Sequence, residues 1–276
     1  MKQIEINNIW TSPKYLPYVQ PSLTDEIILE AEKKIGYKFP KEYLAILKIQ
    51  NGGYIRYSLK DTAHSQISGI GQFYNSITDF EWFKEYEEGS DMKLDGLFPF
   101  DGDGHWNICL DYRNNKLEPE ITLIDTESET EDLIAINFKE YLNILEIETE
   151  NGYVIETELR IENFIQKVSI LLNIEFEEPN TFDHGYKTYR SKYNKSYIWI
   201  SPNKVPSGFV RESDKRFEEL KSVPITEKLR YPEVPENYLF ISVSDKKEQK
   251  GIFKILQEGE ILIKELSTYF EESLNR

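Results

Sequence analysis

The sequence predicts an α+β architecture in two parts: residues 1–150 as a mostly antiparallel sheet flanked by helices, and residues 151–276 as a second, smaller α+β domain. Three observations carry this. The first half runs helix, helix, strands, helix, strands, helix, with no succession of βαβ units. Its strand-like stretches are short and alternate in polarity around Gly-rich turns, the pattern of antiparallel hairpins. Finally, 276 residues are long for one compact domain, and Asn151-Gly152 supplies a break just past a closing helical segment.

Thr24 is placed to cap a helix running to Gly36, with Asp25 and Glu26 at the positive end of its dipole and Lys33 and Lys34 in its last turn. Ile27, Ile28, Ala31 and Ile35 share one face, and Gly36 is the stop. Tyr37-Lys38-Phe39 reads as an extended connector. Pro40 opens a second helix through Tyr43, Leu44 and Leu47, which Asn51-Gly52-Gly53 ends. Tyr54–Leu59 is strand-like, and a third helix is expected from Thr78 to about Glu88 around Phe80, Trp82 and Phe83. Leu97–Phe100 and Trp106–Tyr112 form a hairpin across the turn Asp101-Gly102-Asp103-Gly104. Ile121–Asp125 and Leu133–Ala135 continue as strands, and Asn137 caps a helix through Phe138, Tyr141, Leu142 and Leu145. In the second half residues 156–172 read as a helix, with a short one near Asp214–Lys221. Strands are expected at 186–193, 197–200, 238–243, 252–256 and 261–263, with a turn at Glu258-Gly259 between the last two.

Charge narrows the function classes. The chain carries 33 Lys+Arg against 49 Asp+Glu, a net of −16. Asp79 to Asp132 alone holds 17 acidic and 4 basic residues, a net of −13. Such a field repels nucleic acid and anionic lipid, favours solubility, and steers a basic partner into encounter. No apolar run approaches the roughly 20 residues that span a bilayer. The opening Met1–Asn8 lacks the apolar stretch of a secretory signal, so a cytoplasmic location is expected.

The chemistry-bearing residues are sparse. One cysteine, Cys109, forms no internal disulfide and no Cys-based zinc cluster. Histidines at positions 64, 105 and 184 leave little for a His-rich metal site. Asp101-Gly102-Asp103-Gly104-His105 invites a calcium-loop reading, but counting from Asp101 puts Trp106 where Gly is needed and Tyr112 where the bidentate Glu is needed. His105 and Asp111 have no Gly-x-Ser-x-Gly nucleophile elbow beside them, and no dinucleotide or phosphate loop is present. Tyr186–Lys195 mixes aromatic and basic residues as single-strand binders do, in a chain that is otherwise acidic. A hydrolase built on two facing carboxylates would need a deep cleft and one raised pKa. No enzyme motif and no cofactor follow, so the chain reads as a non-enzymatic protein.

Three stretches of the first half, in order, resemble the SUKH superfamily, which contains a fungal cell-wall-assembly regulator and bacterial immunity proteins. The first runs from Ser22-Leu23-Thr24 through Glu32, Ile35-Gly36-Tyr37-Lys38-Phe39-Pro40, Tyr43 and Leu47 to Asn51-Gly52-Gly53. The second is Phe98-Pro99-Phe100, Gly102, Gly104 and Ile108–Arg113. The third is Pro119, Ile121, Ile124-Asp125, Ile134–Phe138 and Tyr141-Leu142. The resemblance covers about residues 10–147. It implies an immunity protein that binds and neutralises a cognate toxin of basic, nuclease type; the alternative is a regulatory scaffold not linked to a toxin. The contact groups expected on the acidic module are Glu81, Glu85, Asp101, Asp103, Glu127, Glu129 and Glu131, with Trp82 and Trp106 as aromatic anchors.

Overall fold

The computed structural model describes residues 6–60, 62, 64–87, 91–147, 149 and 152–274. Most of the leading Met1–Asn8 stretch, Glu88 at the expected helix end and Asn151 at the expected boundary lie outside the described residues. The chain divides into two compact units between residues 148 and 149.

In the first unit, helix α1 (Asp25–Ile35) starts where the Thr24 hydroxyl accepts the Ile27 N–H at 3.3 Å, and stops where Gly36 turns left-handed at φ +82°. The Glu32 carboxylate accepts the Phe39 N–H at 3.1 Å, so the connector to α2 (Lys41–Ile49) is tied back onto α1. At Gly52, φ is +89° and an added Cβ would stand 2.5 Å from the Gly69 nitrogen, which is why the stop after α2 requires glycine. The strand-like 54–59 region is broken into two-residue pieces, Gly53–Tyr54 and Tyr57–Ser58.

Four strands, Leu97–Gly102, Trp106–Asp111, Glu120–Asp125 and Thr130–Ala135, form an antiparallel meander in sequence order. Side chains alternate across it, and both faces are covered. Phe98, Phe100, Ile108, Leu110 and Ile121 join the large core with Ile35 of α1, Tyr43 and Leu47 of α2, and Tyr141 of α4 (Phe138–Ile144). Leu97, Cys109 and Ile124 face the other way and pack with Phe83 and Leu94. Helix α4 is capped as expected, with Asn137 Oδ1 accepting the Glu140 N–H at 2.9 Å.

The third helix is a correction. In place of a helix from Thr78 to Glu88, α3 is a single turn, Glu81–Lys84, continued by a 3-10 turn at Glu85–Glu87. Thr78 is turned back onto Ser76, at 2.9 and 3.3 Å, and the residue at the N-cap of α3 is Phe80, whose side chain caps nothing.

The second unit is built on a five-stranded antiparallel sheet ordered Tyr189–Tyr193, Ser196–Pro202, Leu239–Val243, Tyr153–Glu156 and Leu262–Glu265. Ile155, Ile198, Ile200, Leu239 and Ile241 share one face and pack against α5 (Ile161–Leu172) and α7 (Lys246–Glu258). The one-turn α6 (Phe217–Leu220) and the C-terminal α8 (Leu266–Leu274) complete the helices described. Two expectations fail here. Residues 153–156 form an interior strand, so the helix begins at Ile161 and not at 156. Residues 252–256 are helical: the short run Ile-Phe-Lys-Ile-Leu reads as a strand in isolation, but Ile252 and Leu256 stand one turn apart on the buried side of α7. Asp245 accepts the Lys247 and Glu248 N–H groups and caps that helix.

Candidate partner-binding face

The acidic segment is organised by one end of the first unit's sheet and by α3. Two turns close that end. At the first, Asp103 Oδ1 accepts the His105 and Trp106 N–H groups at 2.9 and 3.1 Å. At the second, Asp125 Oδ1 accepts the Glu127 and Ser128 N–H groups at 2.9 and 3.0 Å. These are short polar side chains folding back on their own turns. The backbone N–H of Trp106, then that of His105, hold the Asp103 carboxyl below its ordinary value, and the Ser128 backbone and hydroxyl do the same for Asp125. Both therefore stay ionised into mildly acidic solution. The turns are laced together: the Thr126 N–H donates to the His105 carbonyl at 2.7 Å, and His105 Nδ1 lies 2.7 Å from Glu127 Oε1.

Helix α3 adjoins the first turn. A Cβ built on Gly104 would lie 3.8 Å from the Tyr86 hydroxyl. Phe83, fully buried, anchors α3 from beneath, which leaves Trp82 and Tyr86 on the outside at 38% and 42% exposure. Their rings meet edge to face with centroids 6.3 Å apart, and the Trp82 indole N–H donates to the Asp79 carbonyl at 2.7 Å. An exposed aromatic pair is thus carried by α3 and the 3-10 turn after it, with the carboxylates of Glu81 and Glu85 exposed on the same two elements and that of Asp103 exposed at the adjoining turn.

The structure sorts the expected contact residues. Glu81, Trp82 and Glu85 are exposed on α3 and the 3-10 turn after it, and Asp103 and Glu127 are exposed at the two turns. Glu129 is exposed at the second turn with φ +53°. Trp106 is half-buried and packs onto the large core, so it supports the turn more than it offers a free ring. Glu131 does not offer a free charge: Arg113 donates to both of its oxygens, at 3.0 and 2.8 Å, and also binds Asp111. Burial works to raise the Asp111 carboxyl, but hydrogen bonds from Arg113 and Thr122 outweigh it and hold the group below its ordinary value.

Asp101 is the clear correction. It is 5% exposed and lies inside the large core. The register shifts between Pro99 and Asp101, so a bulge turns Asp101 to the same side as Phe98 and Phe100, opposite Ile108. There its Oδ2 accepts the Ser65 N–H at 3.1 Å and bonds directly to His64 Nδ1, while His64 Nε2 meets the Tyr141 hydroxyl. This chain of buried polar groups braces the 64–66 segment to the sheet and to α4, and it faces no solvent.

Two contributors escaped the sequence reading. Tyr86 was signalled by its spacing, four residues after Trp82 and hence on the same side of a helical turn. Asp125 was signalled by Asp-Thr-Glu-Ser, a side chain able to cap its own turn.

Residues 22–144 match the model of the SMI1 / KNR4 family (SUKH-1). No curated protein matches the chain. The match begins just before α1, takes in the connector, α2, α3 and the whole meander, and ends with α4. The first unit of this chain belongs to the SUKH superfamily.

Proposed function

We propose that this chain is a non-enzymatic immunity protein, whose first unit captures a basic, nuclease-type toxin domain through the face built by α3 and the turns at Asp103 and Asp125. The observation that carries this reading is the exposed Trp82–Tyr86 pair, packed on buried Phe83 and carried by the same acidic segment as the exposed carboxylates of Glu81, Glu85, Asp103 and Glu127. Aromatic anchors supply the desolvated centre of an interface, and a carboxylate rim supplies speed of encounter and rejection of wrong partners. A nuclease must present positive charge to its substrate, so an anionic cap fits it and occludes the same groove. The superfamily's inclusion of immunity proteins supports the same reading.

The test is co-purification with the product of the neighbouring gene, followed by association kinetics. Reversing Glu81, Glu85, Asp103 and Glu127 to Lys together should slow association about 10- to 100-fold at low ionic strength, with the difference shrinking in salt. Trp82→Ala should speed dissociation by about 30-fold or more, the loss of an aromatic hot spot. Tight binding that survives both changes places the interface elsewhere. Binding of a cellular protein with no toxin gene adjacent favours the regulatory scaffold.

A further inference from the structure

The second unit holds a cavity of about 270 Å³. It opens on the face of the five-stranded sheet that points away from α5 and α7: Trp199 pairs with Ser242 and Ser201 with Phe240, in the alternate positions to the residues buried under those helices. Its size is just below the roughly 300–1,000 Å³ of sites for drug-sized ligands, which suits a single-ring molecule.

Arg230 is the feature that gives the cavity a chemistry. The guanidinium is held between rings, 4.4 Å from the centroid of Tyr186 and 4.7 Å from that of Phe240. Its single side-chain hydrogen bond among the described residues runs from Nη1 to Ser201 Oγ at 2.8 Å. A guanidinium offers five N–H donors, so most of them point to no protein acceptor. Among the described residues no Asp or Glu lines the cavity. Thr188 also lines it, 6% exposed, and its buried hydroxyl has no hydrogen-bond partner among the described residues. Such orphaned groups are rare in folded proteins and mark places where something else binds. At the rim His184 stacks on Tyr186, centroids 5.6 Å apart, and burial followed by the charge of Arg230 lowers its pKa. The Asp183 carboxylate acts on His184 from outside the lining, and no lining carboxylate offsets the charge of Arg230. Contacts with two rings restrain the guanidinium, whose planar fork suits recognition of an oxyanion.

We propose that this cavity is a binding site for a small planar molecule bearing one oxyanion group, a carboxylate or a phosphate. The oxyanion pairs with Arg230 beside Ser201 and Thr188, and the planar body lies along Trp199 and Tyr186. The site belongs wholly to the second unit and is independent of toxin capture, so it stands or falls by itself.

Calorimetric titration of the full chain tests it with phenyl phosphate, benzoate, inorganic phosphate and the uncharged control benzyl alcohol. At least one aromatic anion should bind in a 1:1 ratio with a Kd of about 1 mM or tighter, at least about tenfold below that of the control. Phenyl phosphate binding above benzoate identifies a phosphate site, and the reverse a carboxylate site. Arg230→Gln should weaken binding at least about tenfold and Arg230→Lys less, because Lys keeps the charge without the fork. The indole N–H resonance of Trp199, assigned by its loss in Trp199→Phe, should move on titration of the unaltered chain. That signal decides the matter even if Arg230→Gln fails to fold. Absence of binding by every anion, an unmoved Trp199 resonance, or equal binding to a folded Arg230→Gln chain overturns the proposal.

Discussion

Asp101 offers the sharpest check on how the first unit is put together. Its Oδ2 accepts the Ser65 and Gln66 N–H groups at 3.1 and 3.4 Å and bonds to His64, and its Oδ1 accepts the Gly102 N–H at 2.9 Å. The carboxylate and the His64 ring are both almost wholly withdrawn from water. Asp101→Ala deletes the acceptor and leaves its donors buried, including a ring nitrogen whose other side is taken by Tyr141. Removing one partner from a buried charged cluster costs about 3–5 kcal/mol, a large share of the about 5–15 kcal/mol that holds a domain folded. For a unit of this size each kcal/mol lowers Tm by roughly 2–4 °C, so the first unit's transition should fall by roughly 6–20 °C. Scanning calorimetry reads this, with urea unfolding as a second measure. Glu85→Ala, on the exposed side of the 3-10 turn, serves as control and should stay within about 0.5 kcal/mol. If Asp101→Ala proves as mild as that control, the buried brace is wrong and Asp101 returns to the candidate contact surface.

Gly52→Ala should destabilise the first unit by about 2–3 kcal/mol in urea unfolding, since the new Cβ meets the Gly69 backbone at 2.5 Å from a left-handed φ. Cys109 is fully buried and its thiol is pushed up by burial, so the native chain should resist alkylation by iodoacetamide and label fully only in denaturant. The Glu156 carboxyl is held below its ordinary value of 4.5, first by Lys264 and then by Tyr269. With a folded pKa below the unfolded one, its contribution is whole above about pH 4.5 and is lost as pH falls through the lower, folded value. Unfolding of the second unit measured across that window should therefore lose stability in the native chain and lose less in Glu156→Gln.

Local rules carried the reading furthest where one stretch of chain contains all the partners of an interaction. Thr24 with Ile27 and Gly36, and Asn137 with Glu140, are decided within a few residues and stand where spacing put them, whereas the turn expected at Asp101–Gly104 starts later, because Asp101 and Gly102 belong to the strand. Short apolar runs are decided instead by what the rest of the chain places beside them. Ile252–Leu256 carries enough branched and aromatic residues for a strand, yet Asp245 and the one-turn spacing of its buried positions make it helix. Tyr153–Glu156 is too brief for its alternation to stand out, and becomes a strand because Leu239–Ile241 and Leu262–Glu265 flank it with hydrogen-bonding edges.

By itself, the sequence determined the α+β class, the SUKH kinship of the first half and the concentration of acid between Asp79 and Asp132, because composition, caps and turn chemistry are properties of the chain at short range. Which acids face solvent was decided only by tertiary structure. One bulge between Pro99 and Asp101 turned a carboxylate from surface to core, and Arg113 reached across to Glu131 and took a second out of play. The Arg230 cavity likewise gathers residues from 184 to 242 that no spacing links. Burial and pairing depend on what the rest of the chain brings alongside, and that is settled when the sheets close.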